Sequence, residues 1–144
     1  MEQPVIAKRE VTAHILKTFN LRADKRLGQN FLVDEQIVNQ IIAAAELAAE
    51  DTVLEVGPGI GTLTQALAET GAHVVAVELD RRLLPVLGKT LAGYDNIEII
   101  NEDILKLDIR KAVPQENFKV VANLPYYITT PIIFALLEKR LPME

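Results

Sequence analysis

Two stretches of the 144-residue chain combine residue types that can do chemistry with a spacing that can aim them. In the first, Gly57-Pro58-Gly59-Ile60-Gly61 closes the run Thr52-Val53-Leu54-Glu55-Val56, and a helical pattern follows at Leu63, Ala66 and Leu67. Strand, glycine turn and helix bring backbone close to a nucleotide in many α/β proteins, because a Cβ would block the approach. About 20 residues further on, Glu78 ends a second apolar run, Val74-Val75-Ala76-Val77, where a carboxylate can accept hydrogen bonds from ribose hydroxyls. Each alone also reads as an ordinary tight connection or a solvated strand-end acid, whereas the pair points to a nucleoside site. The dinucleotide fingerprint G-x-G-x-x-G would need a glycine where Thr62 stands, which counts against an NAD-dependent oxidoreductase.

The second stretch is Asn123-Leu124-Pro125-Tyr126, which follows the apolar run Phe118-Lys119-Val120-Val121-Ala122. It suits an exocyclic base amine as nucleophile. Such an amine attacks poorly because its lone pair is delocalised into the ring. The Asn123 side-chain oxygen and a backbone carbonyl can accept from its N–H groups, restore nucleophilicity and steady the positive charge that develops. Pro125 fixes φ and stiffens the carbonyls nearby. Tyr126 offers a flat face for an extruded base, worth about 1–3 kcal/mol in other nucleic-acid sites. The alternative is a strand-ending turn with a core tyrosine. Asp103, after the run Ile97-Glu98-Ile99-Ile100, has two readings that remain open: an acceptor for a base amino group, or the N-cap of a helix over residues 104–108.

These residues need a frame to hold them. Val11, Ile15 and Phe19, with Leu16, repeat at helical spacing over residues 9–19. Leu21 to Leu32 has no period and reads as a loop with recognition potential. Asp34 suits an N-cap, with Val33 and Val38 as a hydrophobic staple, for a helix through Ile37, Ile41, Ile42 and Ala45. Strands are expected at 52–56, 73–78, 97–100 and 118–122. Helices are expected after the glycine turn, at Arg81–Leu91 with Pro85 in its first turn, and at Ile132–Lys139 behind Pro131. That alternation predicts a parallel, doubly wound α/β sheet whose carboxyl ends gather Gly57, Glu78, Asp103 and Asn123 on one rim.

Bulk properties narrow the classes. One domain is the prior at this length, and 49% hydrophobic residues suit a buried core. The absence of cysteine rules out disulfides and thiolate metal sites, and two histidines, His14 and His73, argue against a protein-built metal site. No apolar leader or membrane-length stretch is present, so no membrane partner and a cytoplasmic location are expected. The net charge of −5 is unevenly spread: residues 1–26 hold six basic groups against three acidic ones, net +3, and the rest carries −8. A basic arm on an acidic body can bind RNA locally, and a solvated amphipathic helix is the plainer reading.

At this point the chain resembles the ribosomal RNA adenine N6-dimethyltransferases of the small-subunit type. The resemblance rests on G-Q-N-F-L (Gly28–Leu32), E-V-G-P-G-I-G (Glu55–Gly61), V-E-L-D (Val77–Asp80), E-D (Glu102, Asp103) and N-L-P-Y-Y-I-T-T-P-I (Asn123–Ile132). It implies a Rossmann-like domain dependent on S-adenosylmethionine, with S-adenosylhomocysteine as product. Asn30 and Leu32 would close over the methionine end of that cofactor, Gly57 would approach it by backbone, Glu78 would hold the ribose and Asp103 the adenine amino group. Asn123 would contact both cofactor and target adenine, with Pro125 and Tyr126 at the target base.

The implied reaction dimethylates N6 of two adjacent adenosines in the 3′-terminal hairpin of small-subunit rRNA, on the immature subunit, by an enzyme expected to be monomeric. Macrolide-resistance enzymes acting on large-subunit rRNA usually read N-I-P-Y, so Leu124 and Tyr127–Pro131 favour the small-subunit type. A non-enzymatic assembly checkpoint is compatible with it. Family members continue with three more strands and a helical C-terminal domain. The resemblance therefore implies that residues 1–144 form the N-terminal portion, one cofactor-binding domain that by itself binds RNA poorly.

Overall fold

The computed structural model describes residues 4–20, 35–114 and 118–122. Four parallel strands form its centre: β1 (Thr52–Val56), β2 (His73–Glu78), β3 (Ile97–Asn101) and β4 (Lys119–Ala122), in the order β3-β2-β1-β4. β1 is buried along its whole length and β2 in all but its first residue. This is why both read as unbroken apolar runs rather than alternating ones: a central parallel strand has no solvent face. Their register pairs Thr52 with His73 through Val56 with Val77, and β4 lies on the other side of β1, with Val56 opposite Ala122.

The helices follow from that order. α3 (Thr62–Glu69) links β1 to β2, and α4 (Leu84–Thr90) links β2 to β3. Both lie on one face, where Leu63, Leu67 and Ala68 pack on Val53, Val74 and Ala76. α2 (Glu35–Ala45) joins the same face through Val38. The connection from β3 to β4 must cross to the far side of β1, and it does so over the opposite face. There Ile104, Ile109, Val113 and Phe118 cover Leu54, Val56, Val75 and Val77. The chain thus reverses direction across the sheet between β1 and β4, the place where open α/β sheets leave a crevice for ligands.

A helix α1 (Arg9–Thr18) packs by Ile15, Val11, Leu16 and Phe19 on Leu83, Val86, Leu87 and Leu91, and on Ile60 of the glycine turn. The segment leading into it is clamped. The Ile6 N–H donates to Gln65 Oε1 at 2.8 Å, Gln65 Nε2 donates to Pro4 O at 2.6 Å, and the Thr12 hydroxyl donates to Ile6 O at 2.6 Å.

The expected strands and the helices at residues 9–19, 37–45 and 81–91 are all present. Pro85 falls in the first turn of α4, after a 3₁₀ turn at Arg81–Leu83. Residues 104–108 differ from a helix capped by Asp103. The amides of Lys106 and Leu107 both donate to Asp103 O, closing a single turn, and a separate short helix α5 (Ile109–Ala112) starts at Asp108, whose side chain accepts from Lys111 N. The segment needs only Ile104, Ile109 and Val113 as anchors on the sheet, so one turn and one short helix suffice. The Asp34 cap, the Val33–Val38 staple, the Leu21–Leu32 loop and the helix at Ile132–Lys139 lie outside the described residues.

Two glycines separate conformational need from convenience. Gly61 caps α3 at φ +97°, and a Cβ there would meet Leu91 Cδ2 and Thr90 Oγ1 at 3.1 Å, whereas a Cβ at Gly88 inside α4 meets nothing within 4 Å. Gly61→Ala should cost about 1–3 kcal/mol through backbone strain and crowding. Gly88→Ala should stabilise by about 0.5–1 kcal/mol through helix propensity. Urea denaturation of the two variants checks the opposite signs.

Candidate functional site

The carboxyl ends of β1, β2 and β3 bring Gly57, Glu78 and Asp103 to one rim. After β1 the chain turns through Gly57, Gly59 and Gly61, all at positive φ (+76°, +62° and +97°). The Gly57 N–H donates to Val77 O at 3.0 Å, which continues the β1–β2 ladder into the turn. The Gly59 N–H donates to Glu78 Oε1 at 3.0 Å, and the Asp80 N–H donates to Glu78 Oε2 at 2.8 Å. Each oxygen of that carboxylate therefore accepts one backbone amide and keeps lone-pair capacity for another donor. Desolvation by burial pushes the Glu78 carboxyl above its ordinary value, and the amides of Asp80 and Gly59 pull the other way.

Neighbouring side chains hold Glu78 from behind. Asn101 Nδ2 donates to Glu78 O at 2.8 Å, and the Glu102 N–H donates to the same carbonyl at 3.2 Å, tying the ends of β2 and β3 together. Asp80 accepts from the Arg82 backbone at 2.9 Å and pairs with its guanidinium at 2.7 Å. Asp103 Oδ1 accepts from Leu105 N at 2.9 Å, a local turn contact, while the residue stays half-buried at the rim. Among the described residues, the exposed large apolar side chains Leu79 and Leu105 lie within two positions of these acids, so the rim offers apolar surface beside its acceptors.

One charged residue in the middle of a strand escaped the sequence reading. Glu55 sits mid-strand in β1, fully buried, opposite Ala76 and on the same side of the sheet as Glu78 two residues further along β2. The buried Thr64 hydroxyl hydrogen-bonds its carboxyl. Burial pushes Glu55 up to about 8 from an ordinary 4.5, the Thr64 bond opposes that, and the charge of Glu78 adds to it. A signal was present: an acid inside an otherwise apolar strand is buried or misassigned, and buried acids carry a proton or a partner. The Thr62 hydroxyl, buried in the first turn of α3, has no hydrogen-bond partner among the described residues.

Asn30, Leu32, Asn123, Pro125 and Tyr126 lie outside the described residues. Ala122, the last residue of β4, sits beside Val56 in the β1–β4 register, next to the start of the glycine turn. Among the described residues no group of histidine, cysteine and carboxylate side chains could hold a metal ion, and no helix is long and apolar enough to cross a membrane.

Sheet order, glycine turn and strand-end acid together define a Rossmann-like α/β domain of the methyltransferase type. The chain belongs to the ribosomal RNA adenine dimethylase family, which matches residues 20–144. Among curated proteins it is 47% identical over 143 residues to ribosomal RNA small subunit methyltransferase A of Alkaliphilus oremlandii, covering 96% of this chain and 50% of the relative. It is 51% identical over 138 residues to the protein of that name from Lachnoclostridium phytofermentans, covering 92% and 48%. The chain thus spans about half the length of these relatives.

Among solved structures it is similar to the 23S rRNA methyltransferase ErmE, with TM-score 0.69 and 39% identity over 80% of this chain and 45% of that one. A dimethyladenosine transferase from Plasmodium falciparum gives TM-score 0.64 and 32% identity over 77% and 39%. The fold recurs at 22% identity in a Salinibacter ruber RNA methyltransferase solved with S-adenosyl-L-homocysteine, with TM-score 0.63 over 76% of this chain and 69% of that one.

The Glu55 proton has a measurable consequence. Its folded value, about 8, lies above the unfolded value near 4.5, so folding takes up a proton between those limits. The stability it permits is complete below the lower value and is lost as pH rises through the upper one, at up to about 1.4 kcal/mol per pH unit. Glu55→Gln keeps an acceptor for Thr64 and removes the titration. Urea midpoints of this variant should fall less steeply over that range than those of the parent; identical slopes would show that Glu55 does not carry the proton.

Proposed function

We propose that this chain is the cofactor-binding portion of a small-subunit rRNA adenine N6,N6-dimethyltransferase. Its substrate would be two adjacent adenosines in the 3′-terminal hairpin of 16S rRNA, modified in the cytoplasm during ribosome biogenesis on the immature small subunit, by a monomer. Residues 1–144 would form one S-adenosylmethionine-binding domain. The observation that carries this reading is the coupling of Glu78 to the glycine turn through Gly59, in a chain of the adenine dimethylase family. The small-subunit target is supported by the relatives at 47–51% identity, which bear that name, against 39% for ErmE, named for 23S rRNA.

The residues present fit an adenosyl group. Glu78 has acceptor capacity on both oxygens for two ribose hydroxyls. Gly57 leaves room for close approach by backbone, and Asp103 stands one strand further along the rim, where its carboxylate can accept from an adenine amino group. Leu79 and Leu105 supply apolar surface for the flat ring. S-adenosylmethionine, when bound, supplies an electrophilic methyl group on a sulfonium.

What the chain itself contributes is position and hydrogen bonding. Asn30 and Leu32 would close over the methionine end. Asn123, with a backbone carbonyl near Pro125, accepts from the target N6–H groups as that nitrogen becomes tetrahedral. Tyr126 would stack on the extruded base and keep the amine aimed. No strong general base is required, since the N6 proton becomes acidic only once the new bond has formed.

Titration calorimetry should give binding of S-adenosylmethionine and none of NAD; the converse would overturn the assignment. Glu78→Ala should weaken S-adenosylmethionine about 10- to 100-fold, the worth of hydrogen bonds to a charged acceptor. In the full-length enzyme, Asn123→Ala should abolish methylation of under-methylated small subunits while leaving subunit binding in place.

A further inference from the structure

The mechanism above leaves α1 unused, yet the chain fixes this helix firmly. Its apolar side is held against α4 and Ile60 of the glycine turn, and the segment before it is locked to Gln65 of α3 through buried hydrogen bonds. Its other side exposes Arg9 and Lys17, with the acid Glu10 next to Arg9. Lys8, Arg9 and Lys17 are exposed, and none of them forms an ion pair with a carboxylate among the described residues. Elsewhere in the domain Arg82 pairs with Asp80, and Lys119 with Ala45 O, Glu46 O and Asp51, while Arg81, Lys89, Lys106, Arg110 and Lys111 are exposed as the α1 cations are. Arg9, Ala13 and Lys17 repeat every fourth residue, so they share one stripe, with the small Ala13 leaving the approach open between the two charges.

We propose that this stripe is a phosphate-tracking surface for the RNA strand that enters the rim, with Lys8 and Arg9 at one end and Lys17 at the other contacting phosphates along that strand, and no role in reading bases. Arg9 and Lys17 are about 12 Å apart along the helix axis. That is the length of three to four phosphates at about 3.4 Å axial rise per strand. The charge pattern of the whole chain favours RNA over an acidic protein face. The body carries −8 and repels a polyanion, so an RNA strand is accepted where α1 and the residue before it, with Lys8, Arg9 and Lys17 against Glu10, offer relief, and Ile15 packs with Ile60 of the glycine turn. Backbone contacts of this kind fix register and leave sequence to the site itself.

This inference rests on the rRNA reading, and one experiment separates the two. Binding of the chain to a fluorescein-labelled RNA hairpin is followed by anisotropy from about 50 to about 200 mM salt, with affinity in the range of about 10⁻⁴–10⁻⁶ M expected. The triple variant Lys8→Gln, Arg9→Gln, Lys17→Gln should lower the slope of log K against log salt by about two, at roughly 0.7 for each phosphate no longer neutralised, and weaken binding by about tenfold or more. Its calorimetric affinity for S-adenosylmethionine should equal that of the parent.

An unchanged slope with cofactor binding intact overturns the phosphate surface and spares the methyltransferase reading. Absence of RNA binding by the parent overturns the surface as well. Failure of the parent to bind S-adenosylmethionine overturns the methyltransferase reading instead. Vesicles of phosphatidylserine and phosphatidylcholine serve as a second polyanion, and capture by these with no RNA binding would assign the stripe to a membrane surface.

Discussion

Gly59 donates its amide hydrogen to the carboxylate of Glu78, and this one bond makes a single object of two motifs nineteen residues apart. Without it the glycine turn is a connection and Glu78 is a strand-end acid. With it the turn is held open at a fixed distance from β2, and the carboxylate is held upright at the rim. The bond is possible only because the turn runs through positive φ at three glycines, which puts an amide where a side chain would otherwise stand. The parallel pairing of β1 with β2 sets the distance that the amide must span, and the Gly57 to Val77 bond carries that pairing to the edge of the turn.

The supports around Glu78 come from three directions. Asp80 donates its backbone amide to the carboxylate and is itself held by Arg82, so the chain leaving β2 cannot swing away. Asn101 and Glu102 grip the Glu78 carbonyl from β3. The Thr90 hydroxyl donates to Ile60 O at 2.9 Å, so α4 braces the turn on its far side. A carboxylate fixed in this way loses little freedom when it accepts two further hydroxyls, which is the advantage that preorganised sites exploit.

Much of the frame is legible in the sequence because a parallel sheet writes itself plainly. Val53-Leu54 and Val74-Val75-Ala76-Val77 are unbroken apolar runs, and the only elements long enough to cross between them are the helices their spacing predicts. Glu78 is legible for the same reason, since a charge at the end of such a run can reach the rim. Residues 103–112 are less so. Asp103 and Asp108 are both good caps, and the choice between one helix and two shorter turns is made by where Ile104, Ile109 and Val113 meet the sheet, a tertiary fact. Asn101 and Asp80 are missed because their partners are backbone groups brought close only by β-pairing. Glu55 has a signal in its apolar surroundings, but the partner that makes it tolerable, Thr64, sits on the next helix.

Glu55 and Glu78 divide one problem between them. Both lie on the same side of the sheet, both are buried, and the charge of Glu78 raises the cost of ionising Glu55, as that of Asp80 does for Glu78. Two anions so placed would compete for the same solvation. The fold gives the acceptor at the rim two backbone amides and the deeper one a buried hydroxyl. The proton therefore resides on Glu55. As a neutral group it links β1 to α3 directly beneath the glycine turn without adding a negative charge beside Glu78, whose own carboxyl burial also pushes up. Replacing Glu55 by an apolar residue would leave Thr64 unpaired in the core. Ionising it would set two like charges into a space with little water to screen them. A protonated glutamate is the one state of that side chain that satisfies the helix and spares the rim.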